Sequence, residues 1–150
     1  MKKIVCLLLI VTILFTGCEK VDTYKEGVYE GSVVDNYGGE NNTATAKVTI
    51  NAEGKITDVY LDTTYTKDGI QTTKKALKEE YGMKIGNSAY GQSDYEWYEQ
   101  VEALEKAVID NQGIDFIKLD ENGKTDAVSH CTIKVDALYK ALEDALNKAK

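Results

Sequence analysis

The sequence contains no arginine and no proline, and only one histidine and three cysteines among its 150 residues. Without arginine, no bidentate guanidinium clamp can hold a phosphate, so a bound phosphate would need other donors. A single histidine and the absence of paired CxxC motifs give little basis for a metal site. No glycine-rich phosphate loop and no nucleophile elbow are present either, which leaves hydrolase chemistry without an identifiable nucleophile.

The first 17 residues have the profile of a secretory signal peptide. Lys2 and Lys3 precede an unbroken apolar run over residues 4–11. This run is shorter than the roughly 20 residues that a membrane-spanning helix needs, so a permanent transmembrane anchor fits less well. We therefore expect residues 1–17 to be cleaved.

The stretch Leu14-Phe15-Thr16-Gly17-Cys18 resembles a bacterial lipobox, in which a cysteine after small residues is lipidated through its thiol. The alternative is an ordinary cleavage site that lies beside a cysteine. The resemblance implies that Cys18 becomes the new N-terminus and carries acyl chains such as palmitate. Two buried chains, at roughly 0.8 kcal/mol per methylene, give stable attachment. We thus expect a lipoprotein on the extracytoplasmic face of a bacterial cell membrane.

The mature chain is acidic and long enough for one domain. After residues 1–17 are removed, 133 residues remain, with 16 lysines against 25 acidic residues and a formal charge of −9. This charge argues against nucleic acid as a partner. Residues 18–26 are predicted to form the lipidated N-terminus and a short tether, and residues 27–150 a single domain. Cys131 is then the one remaining unmodified cysteine, so no internal disulfide can form.

Alternating apolar and polar residues predict three strands at the start of the domain. They cover residues 28–35, 44–50 and 56–65. The loop at residues 51–55 contains Gly54, which can adopt the positive φ of a hairpin connection. An antiparallel meander is the economical arrangement.

The rest of the domain is predicted to be mainly helical. A short helix is expected over residues 74–81, and Ser93-Asp94-Tyr95-Glu96 has the pattern of a capping box that opens a helix ended by Gly113. Residues 114–119 are predicted to form a short strand, and residues 134–148 the last helix. The two long helices have apolar faces made of Trp97, Val101, Leu104 and Val108, and of Val135, Leu138, Leu142 and Ala145. This order predicts an α+β fold, an antiparallel β-sheet packed by helices.

The most informative stretch is Asp126-Ala127-Val128-Ser129-His130-Cys131-Thr132, directly before the last predicted helix. It resembles the Asp-x-x-Ser-Gly-Ala-Thr motif of the FMN-binding domain family of bacterial exported flavoproteins, which includes membrane-anchored lipoproteins of extracellular electron transfer. Residues 27–31, 48–59 and 81–84 resemble further segments of that family. In the family, a separate flavin transferase esterifies the motif threonine to the phosphate of FMN.

The resemblance implies that Thr132 is the attachment residue for FMN. Asp126 and Ser129 match the motif, and His130 and Cys131 stand in place of its glycine and alanine. Glycine would allow positive φ at position 130. His130 is interpreted either as an ordinary loop residue or as a group that contacts the FMN phosphate or tunes the flavin. Cys131 is interpreted as a small buried residue rather than a redox thiol.

Thr132 has two open interpretations from its position before a helix. It either presents a phosphate to the positive end of the helix dipole, as the resemblance implies, or it simply caps the helix. The candidates to line a flavin pocket are Met83, Tyr90, Trp97 and Tyr98, although a tryptophan on the apolar face of a helix, such as Trp97, is more often part of the core.

The resemblance therefore implies an electron carrier rather than an enzyme, with FMN as cofactor. Its expected partners are the membrane through the lipid anchor, a flavin transferase and a membrane redox partner. The alternative is a surface lipoprotein with the same scaffold that binds another ligand or partner. In that case the changes at His130 and Cys131 have removed flavin attachment.

Overall fold

A computed structural model describes residues 24–36, 41–85 and 93–150. The predicted signal peptide, Cys18 and Tyr90 lie outside these residues. No helix in the described part of the chain is both long and apolar enough to cross a membrane. The elements are strands β1 (Gly27–Asp35), β2 (Asn42–Ile50), β3 (Ile56–Lys67) and β4 (Ile70–Thr73), and helices α1 (Lys74–Leu77), α2 (Trp97–Asn111) and α3 (Asp136–Lys148). A 3-10 turn, Lys78–Tyr81, follows α1.

The sheet is antiparallel and has the order β1-β2-β3-β4. Gly31 pairs with Ala46 across β1 and β2, and Val48 pairs with Val59 across β2 and β3. The strict alternation predicted for β2 is present, since its inward residues are all buried: Ala44, Ala46, Val48 and Ile50. The α+β prediction, an antiparallel sheet packed by helices, is confirmed.

The fourth strand was not predicted, although the sequence carries a signal for it. Asp68 and Gly69 have φ angles of 52° and 78° and form a two-residue hairpin loop between β3 and β4. Asp-Gly is a preferred pair for such loops because both central residues need positive φ.

The strand predicted over residues 114–119 is wrong. Ile114 and Ile117 are buried, but the Ile117 N–H donates to the Ile114 carbonyl at 3.0 Å, which is a turn. Two apolar residues three positions apart can both point inward from a turn. In a half-buried strand, the inward residues are two positions apart.

The apolar faces of both long helices are confirmed, but two helix ends differ from the prediction. α2 begins at Trp97, and Glu96 rather than Ser93 is its N-cap residue; the Glu96 N–H donates to Glu99 Oε2 at 2.7 Å. Gln112 rather than Gly113 takes the left-handed conformation after α2, with φ of 55°. The Gln112 amide bonds both the N–H and the carbonyl of Ile56, and these bonds offset the backbone cost.

The two long helices cover different parts of the sheet. α3 packs on β1 and β2, and α2 packs on β3. At Gly31 a Cβ atom would lie 2.0 Å from the Ala141 carbonyl oxygen, so a side chain there would push α3 away. The Asp126-to-Thr132 motif lies in the segment between α2 and α3, and this segment runs beside the first turn of α2.

Candidate functional site

The motif forms a turn in which His130 has a left-handed backbone. Its φ is 66°, and the Cys131 N–H donates to the Val128 carbonyl at 3.3 Å. Glycine is favoured at this conformation, and histidine is among the residues that tolerate it better than most. The His130 ring packs edge-on against Tyr95, with ring centroids 4.6 Å apart.

Thr132 is held by Gln100 of α2. The backbone N–H and the Oγ1 hydroxyl of Thr132 both donate to Gln100 Oε1, at 2.8 and 3.2 Å. Gln100 is fully buried, and its Nε2 donates to the Tyr95 carbonyl and to Ser93 Oγ. Although Gln100 fixes it, the Thr132 side chain remains exposed to solvent. The hydroxyl is therefore both fixed and accessible.

The interpretation of Thr132 as a helix cap is wrong. α3 begins at Asp136, and its N-cap residue is Val135, which has no side-chain oxygen. The Val135 N–H donates to the Gly123 carbonyl at 2.8 Å. Thr132 lies three residues before this N-cap residue and makes its hydrogen bonds to Gln100 of α2 rather than to the first turn of α3.

Thr132 lies where two cavities meet. The first has a volume of about 450 Å³, which is within the usual range for small-molecule sites. The second, of about 620 Å³, is bordered by the motif itself, including Asp126, His130 and Cys131. Ser129 is exposed and lies outside both cavity walls. The first cavity is lined by Asp35, Thr63, Lys74, Tyr81, Met83, Ser93, Asp94, Tyr95, Trp97, Lys124, Thr132, Ile133, Lys134, Asp136, Ala137 and Leu138.

One wall of the first cavity is formed by two aromatic side chains and a methionine. Tyr81, Met83 and Trp97 are buried, and the rings of Tyr81 and Trp97 are 6.5 Å apart in an edge-on arrangement. Met83 and Trp97 were predicted to lie near a ligand, and both line the cavity. Tyr98 does not; its hydroxyl donates to Glu79 Oε1 at 2.9 Å.

Three lysines supply positive charge to the first cavity. Lys124 and Lys134 are exposed and line it together with Thr132. Lys74 is buried, with its Nζ 5.4 Å from the Trp97 ring centroid and 5.7 Å from that of Tyr81. Burial lowers the pKa of Lys74, while the negative charges of Asp35 and Asp62 act in the opposite direction.

Cys131 is buried, as expected for a small residue in the motif. Its side chain lies under the turn, and burial raises the pKa of its thiol to about 11. A thiol with this pKa is protonated at neutral pH and is a poor nucleophile. Cys131 therefore contributes packing rather than reactivity.

The residues around Thr132 fit a flavin mononucleotide. A flat ring needs an apolar and aromatic wall, which Tyr81, Met83 and Trp97 provide. A phosphate at Thr132 would share the first cavity with Lys124 and Lys134, two cations that could stand in for arginine. Lys134 also pairs with Asp136 at 3.5 Å, and Asp35 and Asp94 line the same cavity.

Several residues of the site were not predicted from the sequence. Gln100 carried one signal, since it is a polar residue beside the apolar face of α2. Tyr81 was quoted only as part of a resembling segment, and Lys74 has no local signal that separates it from other lysines.

No protein-family model, no curated protein and no solved structure matches this chain.

Proposed function

We propose that this protein is a lipid-anchored, extracytoplasmic electron carrier that holds one FMN, esterified through its phosphate to Thr132. The observation that carries the proposal is the Thr132 hydroxyl, which is exposed and yet fixed at the junction of two cavities. The motif around it provides the chemical identity of the ligand through its resemblance to the FMN-binding domain family.

The geometry of Thr132 suits an attachment residue. A modifying enzyme must reach the hydroxyl, and Thr132 is an exposed residue that lines both cavities. Gln100 Oε1 accepts from both the N–H and the hydroxyl of Thr132. When a phosphoryl group replaces the hydroxyl hydrogen, the N–H bond of 2.8 Å remains and still holds the loop on α2.

The chain's own residues would bind and orient the cofactor. FMN supplies the redox chemistry, and the protein sets its position, its exposure and the charges near it. The aromatic wall would shield part of the flavin ring from water, and Lys124 and Lys134, which line the cavity with Thr132, would supply positive charge near a phosphate attached there. No general acid–base pair is needed for this role, which is why we propose a carrier rather than an enzyme.

The partners follow from the same proposal. Cys18 attaches the chain to the membrane, a flavin transferase loads Thr132, and a membrane redox partner exchanges electrons with the flavin. The formal charge of −9 on the mature chain favours a partner with a basic docking surface.

The test is the mass of the exported protein. The full chain is expressed with a flavin transferase in a bacterium that exports and lipidates such proteins, as wild type, Thr132→Ala and Thr57→Ala. Thr57 is a matched control because it is also exposed and its hydroxyl also donates one hydrogen bond, at 3.3 Å to the Thr49 carbonyl. We expect a gain of one FMN less water, with in-gel flavin fluorescence, in wild type and Thr57→Ala and not in Thr132→Ala.

Wild-type protein that stays at the apo mass would contradict covalent attachment. Titration with FMN then separates a non-covalent flavoprotein from the alternative, a surface lipoprotein that binds another ligand. In a parallel fractionation, Cys18→Ala is expected to leave the membrane fraction, and retention there would contradict the lipid anchor.

A further inference from the structure

Lys74 is a buried residue whose ammonium group faces two aromatic rings. Its residue is only 6% exposed, and it lines the same cavity as Thr132. Within residues 24–36, 41–85 and 93–150 its Nζ makes no hydrogen bond and no ion pair; its near contacts are the ring faces of Tyr81 and Trp97. Its three N–H donors are thus available to something that enters the cavity.

Asp35 and Asp62 act on Lys74 through their charges, but within the described residues neither forms an ion pair or a hydrogen bond with its Nζ. Asp62 influences Lys74 at a distance, but Oδ1 of Asp62 accepts from the N–H groups of Thr63 and Lys75, and its Oδ2 accepts from the Tyr60 hydroxyl. Both oxygens of Asp62 are therefore engaged elsewhere. The Lys74 side chain is largely removed from water without a hydrogen bond to the described part of the chain, and two aromatic faces recover only part of that cost.

We infer that Lys74 binds the electron-rich pyrimidine edge of a flavin ring, donating a hydrogen bond to one of its carbonyl or imine acceptors. This inference rests on the proposed function and names the residue that recognises the ring. The phosphate is assigned to Thr132, which is exposed and close in sequence to Lys134. Lys74 instead lies between buried aromatic rings, where a flat, polarised ring fits and a fully hydrated phosphate does not.

The consequence is that the ring binds without its phosphate. A ligand with the isoalloxazine ring alone would keep the bond to Lys74 and the contacts with Tyr81, Met83 and Trp97. Lumiflavin is such a ligand, because it has no ribityl chain and no phosphate. Its binding therefore reports on Lys74 independently of Thr132 and of any transferase.

The experiment uses the single tryptophan of the chain as the probe. Trp97 lines the cavity, so a bound flavin ring should quench its fluorescence. The full chain is produced without a flavin transferase, extracted in mild detergent and titrated with lumiflavin as wild type, Lys74→Met, Lys74→Gln and Lys55→Met. Lys55 is an exposed lysine in the β2–β3 loop and serves as the matched control for loss of one charge.

We expect Lys74→Met to weaken lumiflavin binding by at least about tenfold, the usual effect of losing a hydrogen bond to a charged donor. Lys74→Gln, which keeps a donor without the charge, should lie between Lys74→Met and wild type. Lys55→Met should match wild type. Both Lys74 variants remove a buried charge, so we expect both to fold, and the melting temperatures check this.

Two results would overturn the inference: wild-type protein that does not bind lumiflavin, or Lys74→Met that binds it as tightly as wild type does. Neither depends on the FMN mass gain at Thr132. A mass gain without a Lys74 effect would leave the carrier proposal standing and remove Lys74 from it. A Lys74 effect without a mass gain would support the ring site and remove the covalent attachment.

Discussion

Lys74 and Lys75 are neighbours in the chain, and both are largely removed from solvent, yet their surroundings are opposite. Lys75 Nζ forms an ion pair with Glu105 and lies 4.1 Å from the Tyr60 ring centroid; its side chain is 12% exposed and that of Glu105 10%. Lys74 faces the cavity; Asp35 and Asp62 act on it through their charges, but among the described residues no acid forms an ion pair with it. A buried charge that is fully paired serves the fold, whereas one that lacks an acceptor is available to a ligand.

The same contrast, between polar groups that have partners in the fold and polar groups that face the cavity, holds for the two ends of β3. Beyond the reach of β4, polar side chains of α2 satisfy the backbone: Glu105 accepts from the Leu61 N–H, and Gln112 bonds Ile56. At the other end, Lys74 lines the first cavity, and its Nζ makes no hydrogen bond within the part of the chain that the structure describes. The paired end resembles an ordinary core interface, and the open end has the composition of a binding site.

Removal of Glu105 should have the largest effect. Glu105→Ala leaves the Lys75 charge and the Leu61 N–H without an acceptor in a mostly buried place, so we expect a loss of about 3 kcal/mol in the free energy of unfolding. Urea unfolding measures it. Glu102→Ala removes an exposed acid from the same helix and should change stability by less than about 0.5 kcal/mol. Equal effects of the two substitutions would contradict the structural role of Glu105.

The two lysines should respond with opposite signs to the same substitution. Lys75→Met should destabilise the apo protein by about 2 kcal/mol, because Glu105 loses its partner. Lys74→Met should leave stability unchanged or raise it by about 1 kcal/mol, because an unpaired buried charge is replaced by an apolar chain of similar length. Both values come from urea unfolding without flavin. A clear loss of stability in Lys74→Met would show that Lys74 has a structural partner.

The difference between wild type and Lys74→Met should depend on pH. Burial lowers the pKa of Lys74 in the folded chain below the ordinary 10.5, despite Asp35 and Asp62. Between the lowered pKa of Lys74 in the folded chain and the ordinary value of 10.5, the folded protein has lost a proton that the unfolded chain still holds. Wild-type stability therefore rises with pH in this range relative to the variant. The variant's advantage should therefore be greatest near neutral pH and shrink towards pH 10.5. Unfolding at several pH values checks this, and a constant difference would contradict it.

The smallest expected signal concerns Cys131, which is buried beside the exposed Thr132. With its pKa raised to about 11, the Cys131 thiol should not react measurably with an aromatic disulfide reagent at pH 8 in the folded protein. In urea it should react promptly. The difference in released thiol between wild type and Cys131→Ala isolates this residue, and a rapid native reaction would mean that the turn opens easily.

Local patterns predicted much of the fold. Strict alternation in β2 and the 3.6-residue spacing of apolar residues in α2 and α3 are properties of short segments, and each was borne out by burial. The prediction was wrong where several local signals compete. Residues 114–119 are of types common in strands, but they form a turn. Ser93 begins a typical capping pattern, but Glu96 is the N-cap residue of α2. Contacts with the rest of the chain decided these cases.

The sequence by itself determined the α+β class, the apolar faces of the long helices and the motif that singles out Thr132. Only the tertiary structure decided that Thr132 is held by Gln100, 32 residues away, and that Lys75 forms an ion pair with Glu105 whereas Lys74 forms none within the described segments. The physical reason is that the spacing of apolar residues is a local property of each segment, whereas the partner of a polar group depends on which distant segment packs against it. Two adjacent lysines are indistinguishable until the fold assigns each its neighbours.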